Sequence, residues 1–146
     1  MRRLRSEEMT TFHGEFSSVD GVRSFPKPVR GGRLPVVRGG ESRAALARAA
    51  EYGDGWHGFN LSPEEATERI ALLRTALQRR KRDPAAFEIV VAPFTKPVRP
   101  ADLARYHGAG VHEVTIVASP PRDESRVTAW VEDLANQWVR PATTLV

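Results

Sequence analysis

The stretch Leu34-Pro-Val-Val-Arg-Gly-Gly-Glu-Ser-Arg-Ala-Ala-Leu-Ala-Arg-Ala-Ala50 decides how the rest of the chain is read. A short apolar run stops at the glycine pair Gly39-Gly40, and an alanine-rich helix begins at once. Strand, glycine turn and helix in that order aim backbone N–H groups and the positive end of a helix dipole at one spot. Such a spot binds an anion, most often a phosphate, and glycine lets the ligand approach because no Cβ stands in the way. A plain strand-to-helix connection has the same order, so the motif needs support from its surroundings.

Working outward, Val36-Val37 predicts a short buried strand and Ser42–Tyr52 a helix that Gly53 ends. Asp54–Phe59 reads as a second strand. Ser62-Pro63-Glu64-Glu65 is a helix start, with an N-cap serine, proline in the first helical position and glutamate at the capping-box position. Ala66, Ile70, Leu73 and Leu77 follow at helical spacing, which carries that helix to the region of Arg80. Phe87–Phe94 is a third strand. Pro100 opens a helix through His107, closed by Gly108 and Gly110. Val111–Val117 is a fourth strand, and Asp123–Trp138 a last amphipathic helix using Val127, Val131, Leu134 and Trp138.

This alternation predicts an α/β fold of parallel strands joined by helical crossovers. Four strands and four helices suit either a small open sheet or half of a TIM (β/α)8 barrel. In both, ligands sit at the carboxyl ends of the strands. Gly39-Gly40, His57 to Asn60, Phe94 to Lys96 and Ala118-Ser119 then share one rim. Ahead of the barrel units (34–141), residues 1–33 predict a helix tail over Met1–Met9 and an irregular linker, because Pro26, Pro28, Gly31 and Gly32 break longer elements. Residues 142–146 form a tail.

Composition narrows the function. A chain of 146 residues, 40% hydrophobic and 27% charged, fits one globular domain. It has no cysteine, hence no disulfide and no thiolate chemistry. No apolar run approaches the roughly 18 residues of a membrane span, and no apolar h-region follows Met1-Arg-Arg-Leu-Arg5. The expectation is a soluble, cytoplasmic chain without a membrane partner. The pI of 10.1 raises nucleic acid as a ligand. The positive excess, however, is confined to residues 1–48, with 10 Lys/Arg against 5 Asp/Glu. It clusters about the glycine turn (Arg30, Arg33, Arg38, Arg43, Arg48), with neither interleaved aromatics nor a zinc pattern. That distribution fits a small anionic ligand, not a duplex. His13, His107 and His112 lack acidic companions at ligand spacing, so no metal is expected.

In order and spacing, Pro26-Lys-Pro-Val29, Leu34-Pro-Val-Val-Arg-Gly-Gly-Glu-Ser42, Ala44-Ala-Leu-Ala-Arg-Ala-Ala50, Gly53-Asp-Gly-Trp56, Ser62-Pro-Glu-Glu65, Arg82-Asp-Pro84 and Gly108-Ala-Gly-Val-His-Glu-Val114 form a series. That series resembles the luciferase-like monooxygenase family of flavin and deazaflavin oxidoreductases, from Phe12 to Pro141. The resemblance implies a (β/α)8 barrel enzyme performing hydride transfer or monooxygenation on a small organic substrate. The implied cofactor is the phosphate-bearing deazaflavin F-420, with FMN as the alternative. It places the cofactor phosphate on the amides of Gly39, Gly40, Glu41 and Ser42, with the Ser42 hydroxyl as a further donor. Arg38 stands where the family more often has a small or apolar residue; it either adds a phosphate contact or disturbs the strand end. Trp56 walls the flavin with His57 near its reactive face, or else Trp56 fills the core beside a solvated His57. No catalytic residue is assigned. Family members are about twice as long, so the chain is expected to be the C-terminal half of the barrel. Such a half either needs an N-terminal half, pairs with a second copy, or is an inactive relic.

Overall fold

The structure is a computed structural model that describes residues 2–29, 31 and 34–145. Of the expected features, Met1, Arg30, Gly32 and Arg33 lie outside the described residues. Contacts divide the chain into two compact units, Met1–Pro35 and Val36–Val146.

In the first unit, helix α1 (Arg2–Ser6) ends where the Lys27 ammonium donates to the carbonyl oxygens of Leu4, at 2.9 Å, and Glu7. The stretch expected to be irregular contains an antiparallel hairpin of β1 (Thr10–His13) and β2 (Ser18–Val22). The Gly14 amide donates to the Ser17 carbonyl at 2.9 Å and closes its turn. Only Thr10 of these strands is buried, so ladder hydrogen bonds hold them without any apolar alternation to announce them.

The second unit carries the four-strand parallel sheet, in the order β3 (Val37–Gly39), β4 (Gly55–Phe59), β5 (Glu88–Ala92) and β6 (Glu113–Val114). Helices α2 (Arg43–Tyr52), α3 (Pro63–Arg79) and α4 (Asp102–Ala109) connect them. The α3 start has both halves of its capping box: the Ser62 hydroxyl accepts from the Glu65 amide, and the Glu65 carboxylate accepts from the Ser62 amide. Two expectations change. Val37 is 41% exposed because β3 is an edge strand, paired only with β4 among the described residues. The fourth strand shrinks to two residues, since an apolar run becomes strand only where a neighbour offers ladder partners.

The last helix continues past Trp138. After a 3-10 turn at Glu124–Arg126 it runs through α5 (Val127–Leu134), a π turn at Ala135–Val139 and α6 (Arg140–Thr143). The widened turn ends two residues before Pro141, whose ring would clash with a carbonyl in a regular α-helix. Residues 142 and 143 therefore belong to the helix, not to a tail.

Pleating gives the sheet two unlike sides. Registers Arg38↔Trp56, Trp56↔Ile89, Gly58↔Val91 and Val91↔Val114 put those residues on one side, the side that α2, α3 and α4 cover. Trp56, Ile89 and Val91 there join Leu46, Ala49, Ile70, Leu73, Leu77, Phe87 and Tyr106 in one buried cluster. Each fully buried large side chain contributes about 1.5–3 kcal/mol to folding. The registers Gly39↔His57, His57↔Val90 and Phe59↔Ala92 define the other side.

Candidate functional site

At the carboxyl end of β3 the chain turns through Gly40, whose φ is +113°. A Cβ there would lie 2.7 Å from the Ala45 Cβ, so only glycine makes this corner. Gly39 is different. Its φ is ordinary, it is exposed, and an added Cβ would meet only the His57 carbonyl oxygen at 3.8 Å. The fold does not require glycine at this position, whereas a ligand approaching the backbone would.

Helix α2 starts directly above this corner. The Ser42 hydroxyl accepts from the Ala45 amide at 3.1 Å, one of the first-turn donors that have no intrahelical acceptor. A hydroxyl used as an acceptor still has its own proton to donate. The corner is braced from behind: the Trp56 indole N–H donates to the Gly40 carbonyl at 2.9 Å, and the Glu41 carboxylate accepts the Phe59 amide at 2.9 Å.

The strand pleat separates candidates that adjacency in sequence had joined. Successive strand residues face opposite sides. Trp56 is fully buried on the helix side, so it is core and a support for Gly40, not a wall for a ligand on the inner side. Arg38 shares its side, and its guanidinium lies over the Tyr52 ring, 5.7 Å from the centroid, at the far end of α2 from Ser42. Arg38 therefore leaves the phosphate group of residues. Glu41 offers only its amide, since its carboxylate is turned to β4 and would repel an anion. Gly39, Gly40, Ser42 and the half-buried His57 remain on the inner side or its rim.

The rim also holds residues whose roles the sequence did not single out. Asn60 (φ 57°) and Phe94 (φ 44°) occupy the left-handed region without being glycine. The Asn60 amide donates to the Ala92 carbonyl at 2.6 Å, and its side-chain oxygen accepts from the amide and hydroxyl of Thr95 at 2.9 and 2.8 Å. Phe59 and Phe94 come together with ring centroids 5.1 Å apart. Nearby, the hydrogen bond from Lys96, reinforced by the Ser62 amide, holds the Glu65 carboxyl below its ordinary value. Beneath this rim the Tyr106 hydroxyl donates to the Leu61 carbonyl at 2.7 Å, and burial pushes its pKa up to about 12.

Other polar residues hold the opposite end of the strands. Asp54 accepts from the Val36 amide through its carboxylate, and Arg82 donates to the carbonyls of Ala50 and Gly53 at the end of α2. Among the described residues, no three His, Asp or Glu side chains converge as a metal site, and no helix is long and apolar enough to cross a membrane.

Comparisons place this geometry. An F-420-dependent secondary alcohol dehydrogenase, solved with an F-420–acetone adduct, superposes with a TM-score of 0.71 at 14% identity, covering 97% of this chain and 58% of that one. The coenzyme F-420-dependent tetrahydromethanopterin reductase of Methanopyrus kandleri gives 0.73 at 9% identity, over 95% and 60%. These likenesses establish the fold as a partial TIM barrel. In sequence, the pyrimidine monooxygenase RutA of Allorhizobium ampelinum is 30% identical over 95 residues, 62% of this chain and 25% of that protein. An uncharacterised Mycobacterium bovis protein is 34% identical over 74 residues, 51% of this chain and 25% of that one. The chain thus matches about a quarter of the length of these curated relatives. The profile of the family described as luciferase-like monooxygenase matches residues 1–136. The chain belongs to the luciferase-like monooxygenase family.

Proposed function

We propose that this chain provides the phosphate-holding rim of a luciferase-like oxidoreductase. The cofactor we propose is the deazaflavin F-420, with FMN as the alternative, and the phosphate sits at the corner made by Gly39, Gly40 and Ser42. The observation that carries this reading is the open Cβ position at Gly39 beside a capped helix start. The residues present suit an anionic tail: they offer amides, a hydroxyl and the positive end of α2, and one oxygen of the Glu41 carboxylate is engaged by the Phe59 amide. When bound, the cofactor supplies two-electron hydride chemistry, and the protein supplies position and electrostatics. Gly40 sets the direction of the first-turn amides, Trp56 fixes the Gly40 peptide from the core, and His57 faces the same side of the sheet.

Titrating the 146-residue chain with F-420 and with FMN tests this. The expected result is saturable binding that Gly39→Ala weakens at least about tenfold while leaving the thermal midpoint unchanged, since the new methyl clashes only with the ligand. Absence of binding to both cofactors, or a Gly39→Ala variant with wild-type affinity, overturns it.

A second reading has its own support. β3 pairs only with β4 and β6 only with β5 among the described residues, so each end of the sheet offers open ladder groups. Barrel closure removes such edges. In that reading the chain is an inactive half-barrel that completes itself with a second copy, and its mark is stability that rises with protein concentration.

A further inference from the structure

Two sets of arginines, far apart in sequence, have no part in the phosphate corner. Arg43 is one of those that follow the glycine turn, and Arg79 and Arg80 open the basic run Arg79-Arg-Lys-Arg82. The fold brings the two sets together. Between α2 and α3 lies an open groove of about 260 Å³, and all three arginines line it. Its apolar walls are Leu46, Ala47, Leu72 and Ala76. None of Gly39, Gly40 and Ser42 lines it, so this space is separate from the corner described above.

The charge in the groove is only partly balanced. Glu51 pairs with Arg80 at 2.7 Å, but among the described residues neither Arg43 nor Arg79 has an acidic partner. Arg43 also stands in the first turn of α2, where a cation opposes the helix dipole. An anion relieves an arginine so placed, and the planar guanidinium fork matches a carboxylate. The walls favour the opposite character, since apolar surface gains from leaving water. One ligand satisfies both, anionic at its head and aliphatic along its body. Sites for drug-sized molecules run from about 300 Å³ upward, so this one suits something smaller. We propose that the α2–α3 groove binds a medium-chain carboxylate, its head on Arg43 and Arg79 and its chain along the apolar walls.

Calorimetric titration of the 146-residue chain with octanoate, octanol and acetate tests this site. Octanol keeps the chain without the charge, and acetate keeps the charge without the chain. Octanoate is expected to bind saturably, and each of the other two at least about fivefold more weakly. Added salt should weaken octanoate and leave octanol unchanged. The double variant Arg43→Gln/Arg79→Gln should hold octanoate about fivefold more weakly, with octanol unaffected. Ala47→Met fills the groove without touching a charge and should weaken octanoate and octanol alike. Gly39→Ala should keep wild-type affinity for octanoate. A wild-type chain that binds no octanoate, or holds octanol as tightly, overturns the proposal, as does an arginine variant with wild-type affinity for octanoate. Loss of octanoate binding in Gly39→Ala overturns it too, because the carboxylate then sits in the phosphate cradle.

Discussion

The two sides of the four-strand sheet differ sharply although the same strands build both. On the helix side Trp56 and Val91 are fully buried and Ile89 nearly so, while on the inner side Val90 and Ala92 are buried but Val37 is 41% and Phe59 51% exposed. Three residues apart on β4, Trp56 and Phe59 live in opposite environments. The helix side is closed by the chain's own packing, so its residues answer to volume and shape. A Cβ at Gly58 would press into Trp56 at 2.6 Å, which ties even that glycine to the core. The inner side is mixed: Val90 and Ala92 at its middle are buried, and Val37 on the edge and Phe59 at the rim are the residues left half exposed.

Truncating the helix side should do most damage. Trp56→Ala empties a fully buried site and frees the Gly40 carbonyl, and should cost about 3–5 kcal/mol in denaturant unfolding. A loss under about 1 kcal/mol would mean that this side is not the core. Tyr106→Phe comes next, at about 1–3 kcal/mol, because it leaves the Leu61 carbonyl without its donor. It also has a pH signature. The hydroxyl keeps its proton up to about 12 in the fold, against 10.0 as the ordinary value. The folded chain therefore binds the extra proton, and this contribution is full below pH 10 and disappears as pH rises through 12. Stability of the Tyr106→Phe chain should lack that alkaline decline. If both chains decline alike, the hydroxyl is not the titrating group.

Much of the helix side was legible in sequence because its signals are local. Ser62, Pro63 and Glu65 announce α3 within four residues, and Gly53 closes α2 as expected, its amide donating back to the Ala49 carbonyl. The hairpin of the first unit was not legible, since Thr10–His13 and Ser18–Val22 are held by pairing across the chain and show no apolar period. The fourth strand failed in the opposite sense: Val111–Val117 is apolar enough, but a single neighbour gives it only two paired residues. At the candidate site the glycine corner was visible as a motif. The division of labour between Gly39 and Gly40 was not, because it depends on where Ala45 and His57 arrive in space. Trp56 and His57 were separable in principle, since neighbours on a strand point apart. The Asn60–Thr95 latch joins positions 35 residues apart and has no sequence signature.

The smallest effect is expected at Phe59, and it sharpens the contrast most. Phe59→Ala removes a large aromatic side chain from the same strand as Trp56, yet about half of that side chain already faces water. Surface substitutions of this kind usually stay within about 0.5 kcal/mol. A cost near that of Trp56→Ala would show the inner side to be covered in solution. The covering body then identifies itself by mass action: a second copy makes the cost grow with protein concentration, whereas packing within one chain leaves it constant. A small cost at every concentration shows that neither a second copy nor packing within the chain covers Phe59 at the rim.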